Sequence, residues 1–241
     1  EIAAGKGKQY KLIYLPYPLM INEGTARGLR EFVADGGSLV SEARLAWNDD
    51  TGRAKEIIPG FGLHEVCGCR EAAVQQTLTG KTEMTLTGDF AGLKAGEKVK
   101  GALYEETLSP LTPATKVVAT FAGGAPAIVE SKFGKGRMLT IGSFVGNAYE
   151  VDRDETTGRF IRGLLNWADV ALPVEVNDPD IEVRMLQSGA ERLVFVFNHS
   201  GQAKKAAVKL PGVIRDLETG KRVETIDREL PANGVAVYVV R

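Results

Sequence analysis

The chain has 241 residues, enough for one large domain or two modest ones. Its 30 lysines and arginines nearly balance its 31 aspartates and glutamates, so charge gives no reason to expect a nucleic-acid or membrane partner. No apolar run approaches the roughly 20 residues of a membrane span, no signal peptide is visible, and two cysteines do not make a disulfide framework.

The stretch from Tyr10 to Asp50 predicts a βαβ unit. Its first strand is a short apolar run over residues 10–15, which Pro16 ends because proline cannot donate to a ladder. Asn22 is a predicted N-cap, and Gly36-Gly37 is a predicted helix end. The helix between them has one apolar face, formed by Ala26, Leu29, Phe32 and Val33. A second strand follows at Ser38–Ser41, and the crossover makes the two strands parallel and adjacent.

The polar lead-in over residues 1–9 contains no strand of its own. An open α/β domain normally has further strands beside such a pair, which indicates an N-terminally truncated domain. The alternative is that residues 1–5 are a frayed terminus. If strands are lacking, the strand at 10–15 has a bare edge, and bare edges tend to pair with another chain. We therefore expect an oligomer.

Residues 61–171 predict further strands and one helix. Residues 61–66 are predicted to form a short strand or a turn, and residues 154–170 a helix with an acidic N-terminus. Gly134-Lys135-Gly136 fits a hairpin turn better than a phosphate loop, because the GxxxxGK[ST] spacing is missing. The predicted strands cover residues 81–88, 97–108, 115–121, 127–133 and 137–141.

The composition changes at Leu172-Pro173, after which only short strands separated by turn signals follow. This pattern predicts a small all-β sandwich and divides the chain into domains at 1–171 and 172–241. The predicted strands are 181–186, 193–198, 204–210, 213–216, 222–226 and 235–240.

Glu42, Arg44 and Trp47 are the candidate ligand-binding residues. They follow the carboxyl end of a predicted parallel strand, where open α/β sheets place ligand crevices. Trp47 could stack on a sugar or on a partner protein. The alternative is that Trp47 only packs over the following loop.

Other reactive residues make weaker candidates. Cys67, Cys69 and His64 could offer soft ligands, but a closed zinc site usually has four, and the CxxC spacing of redox pairs is missing. A nucleophile on a strand-to-helix turn would be expected just after Val40, where no cysteine stands. His199 is predicted to be a solvated turn residue. We expect no catalytic residue, no metal site and no cofactor.

Several segments, taken in order, resemble the β-galactosidase trimerisation domain, which follows the catalytic barrel in family 42 glycoside hydrolases. They are YKLIYLPYPLMI, EFVADGGSLVSEARLAWND, IIPGFGLHEVCGCRE and AIVESKFGKGRMLTIGSF. The tail, with LVFVFNHSGQ, DLETGK and LPANGVAVYVV, is similar to the C-terminal β-sandwich of the same enzymes. The resemblance implies an open, mostly parallel, flavodoxin-like sheet of the class I glutamine amidotransferase type, plus the small sandwich.

The resemblance also implies a function in assembly. No part of the chain has the pattern of a (β/α)₈ barrel, so no catalytic glutamate is carried over. We expect a non-catalytic portion of a β-galactosidase-like hydrolase that joins protomers, as a trimer in the parent enzyme, and supports their active sites. Galactosides would then bind only through the barrel. The alternatives are a carbohydrate or small-molecule binding module at Trp47, or a degenerate amidotransferase-like protein using Cys67 or Cys69.

Overall fold

The computed structural model describes residues 1–174, 176 and 178–241. They form two compact units, Glu1–Ala171 and Leu172–Arg241. In the described residues, no helix has the length and apolar character needed to span a membrane.

The first unit is an α/β unit whose helices pack on both faces of one sheet. Two short 3₁₀ turns, Ile2–Ala4 and Lys6–Gln9, precede its first strand. The strands and helices are β1 (Leu12–Leu15), α1 (Glu23–Ala34), β2 (Ser38–Ser41), α2 (Leu63–Cys67), β3 (Cys69–Leu86), β4 (Lys98–Pro110), β5 (Lys116–Thr120), β6 (Pro126–Phe133), β7 (Gly136–Ile141), α3 (Val145–Asp152) and α4 (Glu155–Trp167).

The seven strands lie in the order β1-β2-β7-β6-β5-β3-β4. The predicted βαβ unit is confirmed, because β1 pairs with β2 in parallel. The α/β class is also confirmed, but the expectation of a mostly parallel sheet is wrong. Only the β1–β2 and β2–β7 pairs are parallel, and the other four are antiparallel. The reason is that tight connections such as the one between β6 and β7 can join only antiparallel neighbours.

The two long helices begin where capping side chains allow. Asn22 Oδ1 accepts a hydrogen bond from the Thr25 amide at 2.8 Å, which confirms the predicted N-cap of α1. Asp154 caps α4 in the same way, accepting from the Thr157 amide at 2.9 Å. The two helices bury opposite faces of the sheet, since Leu29 packs with Leu39 whereas Phe160 packs with Val40.

Two helices differ from the sequence prediction. The segment expected to be a strand or turn at 61–66 contains α2, which lies between Gly62 (φ 75°) and Gly68 (φ 63°). Both glycines adopt the left-handed conformation, so they set the helix boundaries. Helix α3 was not predicted at all, because its N-cap residue Phe144 provides no side-chain hydrogen bond.

In its described residues, the second unit contains two antiparallel sheets packed on a shared core. Its strands are β8 (Ile181–Ser188), β9 (Glu191–Asn198), β10 (Lys204–Val208), β11 (Ile214–Asp216), β12 (Arg222–Val223), β13 (Ile226–Leu230) and β14 (Val235–Val240). One sheet has the order β12-β11-β14-β9-β8, and the other pairs β10 with β13. The predicted strand at 222–226 is wrong, because a bend at 224–225 separates β12 from β13 and sends them to different sheets.

Candidate functional site

The three predicted ligand residues lie at the carboxyl end of β2, as expected, but two of them are buried. Glu42 is 1% exposed and Arg44 is 9% exposed, whereas Trp47 is half-buried. Arg44 (φ 58°) and Ala46 (φ 54°) both adopt the left-handed backbone conformation in the loop that follows. The chain thus turns sharply after β2 and directs the polar side chains inward.

Glu42 links three elements through its carboxylate. Its Oε1 accepts a hydrogen bond from Tyr14 Oη at 2.5 Å and another from the Gly146 amide at 2.6 Å. Gly146 lies in the first turn of α3, so Glu42 supplies the cap that Phe144 does not provide. Burial raises the pKa of Glu42 to about 7, although the hydrogen bonds from Tyr14, Gly146 and Val145 oppose that rise.

Arg44 forms a bidentate ion pair with Glu71 on β3. Its Nε donates to Glu71 Oε2 at 2.8 Å, and its Nη2 donates to Glu71 Oε1 at 3.2 Å. The guanidinium carbon also lies 3.8 Å from the centroid of the Trp47 ring. The guanidinium group of Arg44 therefore already has two protein partners, the Glu71 carboxylate and the Trp47 ring.

Glu106 on β4 completes this buried cluster. Its Oε2 accepts a hydrogen bond from the Arg44 amide at 2.8 Å, and the residue is 1% exposed. Burial raises the pKa of Glu106 well above its usual range, and the nearby Glu71 carboxyl adds to the rise. Glu42, Arg44, Glu71 and Glu106 are called the edge cluster below.

Strand β4 reaches the edge cluster because it crosses the end of β7. The Glu106 amide donates to the Gly142 carbonyl at 2.8 Å, directly after β7. A Cβ atom at position 142 would lie 2.1 Å from the Glu106 carbonyl oxygen, so this crossing requires glycine. The β3–β4 hairpin thus brings Glu71 and Glu106 to the carboxyl end of β2, where a ligand crevice is predicted.

Sequence reasoning did not find Tyr14, Glu71, Glu106 or Gly146. A signal existed for Glu106, because it stands two residues before the buried Leu108 and so faces the same way on a strand. No comparable signal exists for Gly146, whose role depends on a contact with a residue 104 positions away.

The cysteines have the character of core residues. Cys67 and Cys69 are free and buried, and Cys67 Sγ lies 3.4 Å from Met138 Sδ. Burial raises the pKa of Cys69 to about 12 and that of Cys67 well above its usual value. Both are therefore protonated thiols at neutral pH, which makes them poor nucleophiles. In the part of the chain that the structure describes, no group of three or more His, Cys, Asp or Glu side chains is arranged to hold a metal ion.

A cavity of about 420 Å³ lies at the opposite, amino end of the parallel strands. Its lining includes Lys8 and Arg137, which pair with Asp35 and Asp169 respectively. The lining also contains Lys11, whose Nζ donates to the Asp169 backbone carbonyl at 3.4 Å.

Comparison with known proteins identifies the family to which this architecture belongs. The family model for the β-galactosidase trimerisation domain matches residues 5–171, and that for the β-galactosidase C-terminal domain matches residues 180–239. The chain belongs to the β-galactosidase trimerisation-domain family. The resemblance inferred from the sequence motifs is thereby confirmed for both parts.

Relatives of this trimerisation-domain chain are much longer than the chain itself. The β-galactosidase bgaB of Geobacillus kaustophilus is 23% identical over 248 residues, which cover 97% of this chain and 32% of bgaB. The solved β-galactosidase from Bacillus circulans sp. alkalophilus is 22% identical, with a TM-score of 0.79 over 97% of this chain and 33% of its own. A β-galactosidase from the haloarchaeon Halorubrum lacusprofundi gives a TM-score of 0.65 at 18% identity, covering 97% and 34%.

The chain spans about a third of the length of these relatives. It corresponds to the trimerisation and C-terminal portion of such enzymes. Ligand contact through Glu42, Arg44 and Trp47 stays a prediction, and the burial of Glu42 and Arg44 leaves Trp47 as the more accessible member of the three.

Proposed function

We propose that this chain joins copies of a β-galactosidase-type glycoside hydrolase into a homotrimer and supports their active sites. The observation that carries the proposal is the match of the trimerisation-domain model over residues 5–171, followed by the C-terminal domain of the same enzymes. The edge cluster is in keeping with this function, because Arg44 binds Glu71 and Glu106 while Glu42 binds Tyr14 and Gly146, so all four residues already have protein partners.

Two features of the first unit are suited to contact with another copy. Strand β1 is the outermost strand of the sheet, so one side of its backbone is not paired within the sheet. The β3–β4 hairpin carries the other feature, a bulge in which Thr77–Gly80 oppose the single residue Leu103. Leu78 in this bulge is fully exposed, at 106%. Leu103 has the left-handed φ of 66°, which is costly for a leucine.

We expect replacement of Leu78 by serine to weaken assembly. An apolar side chain that gains burial at an interface contributes to association, and its loss should raise the dissociation constant by about tenfold or more. Sedimentation velocity over a dilution series measures this directly. At dilutions where both proteins are monomeric, the temperature of unfolding should be the same, because Leu78 contributes nothing to the core of the single chain.

The matched control is Leu217→Ser, which changes another exposed leucine, in the second unit. It should leave the sedimentation profile unchanged. A wild-type chain that sediments as a monomer at every concentration would contradict the proposed function. If the chain forms an oligomer that Leu78→Ser does not weaken, the proposed assembly function stands, but the bulge is excluded as the contact between copies.

A further inference from the structure

The outward face of β9 carries a row of three rings. Val194 and Val196 are buried in the core of the second unit, so the alternating residues Phe195 and Phe197 lie on the opposite, half-exposed face. The two phenyl centroids are 6.2 Å apart with planes at 11°, and the ring of His199 follows at 6.0 Å with planes at 20°. The three rings are therefore nearly parallel and continue along the strand.

A row of hydrogen-bonding side chains lies beside these rings on β8. Glu182 stands opposite Phe197 in the strand register, and Arg184 stands opposite Phe195. Glu182 Oε2 lies 2.6 Å from His199 Nε2, and its other oxygen accepts from Arg184 Nε. These side chains are accessible, at 73% for Arg184, 58% for His199 and 34% for Glu182.

The other flank of the ring row is aliphatic. On β14, Val235 stands opposite Phe197 and Val237 stands opposite Phe195. Across three neighbouring strands the face thus changes from charged to aromatic to aliphatic. This ring face is defined here as Phe195, Phe197 and His199 with the adjoining Glu182 and Arg184.

We propose that the ring face binds a carbohydrate chain. A sugar ring has an apolar C–H face and a rim of hydroxyl groups, so its C–H face can pack on the exposed apolar surface of the ring row. Sites that hold small polar molecules combine apolar and aromatic surface with a few placed polar groups, which is the arrangement found here. Glu182 would accept hydrogen bonds from hydroxyl groups, and Arg184 would donate to them.

The charged row also argues for sugar over a protein partner. Protein interfaces are depleted of glutamate, whereas aromatic residues and arginine are enriched in them. Here Glu182 stands directly across the ladder from Phe197, where a protein partner would have to desolvate its carboxylate. Hydroxyl groups of a sugar can replace the water at these charges. This proposal concerns the second unit and goes beyond assembly.

Affinity electrophoresis of the full chain in native gels containing soluble galactan tests the proposal. Galactan is the chosen probe because the matched relatives are β-galactosidases. The wild-type chain should be retarded, and Phe197→Ala should weaken the apparent association about tenfold. Leu186→Ala changes an exposed side chain further along β8, opposite Leu193 rather than opposite a ring, and Trp47→Ala changes the first unit, so both should be retarded like wild type.

Three results would overturn the proposal: no retardation of the wild-type chain, equal retardation of Phe197→Ala, or loss of retardation only in Trp47→Ala. If circular dichroism shows that Phe197→Ala does not fold, Glu182→Ala serves instead, since it removes a half-exposed hydrogen-bond acceptor. Unchanged retardation of Glu182→Ala would then overturn the proposal. The sedimentation profile is measured on the same samples, so failure here is distinguishable from failure of assembly.

Discussion

Replacement of Arg44 by alanine is expected to lower the free energy of unfolding by about 3–5 kcal/mol. The change removes the cation paired with Glu71, whose side chain is 12% exposed, while Glu106 remains buried beside it. Two carboxyl groups would then share a buried site without a compensating charge. Urea denaturation followed by circular dichroism measures the loss. Because alanine carries a Cβ atom as arginine does, the cost of the left-handed backbone at position 44 stays the same.

Two further variants identify the cause of that loss. Adding Glu71→Gln to Arg44→Ala should recover part of the stability, because it removes one of the unpaired carboxylates. Arg44→Lys keeps the charge but cannot form the bidentate pair or stack equally on Trp47, so it should give an intermediate loss. A loss below about 1 kcal/mol in Arg44→Ala, as for an exposed pair, would contradict the role given to the edge cluster.

Glu42→Gln is expected to change how stability depends on pH. The folded chain holds the pKa of Glu42 at about 7, above the 4.5 of an unperturbed glutamate. Because this pKa is raised, the contribution of Glu42 to stability is fully present below about pH 4.5 and is lost as the pH rises through 7. The wild type should therefore lose up to roughly 3 kcal/mol relative to the variant between pH 4.5 and 8.

Urea titrations of both proteins at several pH values measure this difference. Glu106 is present in both proteins, so its contribution to the pH dependence drops out when their stabilities are subtracted. The control is Glu150→Gln, which changes a glutamate with a side chain 70% exposed. That variant should follow the wild-type profile in parallel. If Glu42→Gln also ran parallel to wild type, the buried carboxyl group would not be the titrating link between Tyr14 and α3.

The sequence predicted the elements that local chemistry controls. The cap at Asn22, the apolar face of α1 and the glycine pair after it determine that helix without help from distant residues. The strands of the second unit follow from their alternation and turn residues. The bend at 224–225 leaves a trace in the sequence that the prediction did not use, because Val223 and Ile226 stand three residues apart and so break the period of two of a single strand.

Long-range placement could not be predicted in the same way. Glu42 and Arg44 lie at the carboxyl end of β2, as predicted, but the prediction took that end of the strand to be open to solvent. Strand β4 crosses there, a route that depends on Gly142 and on the backbone of Glu106 and that no local pattern encodes. Helix α3 was missed for a related reason, since its cap comes from Glu42 through the fold.

The mass of the wild-type chain in solution tests the assembly function most directly. Light scattering behind size-exclusion chromatography should give three times the chain's 25.9 kDa at micromolar concentration. A single peak at the mass of one chain, unchanged on concentration, would contradict it.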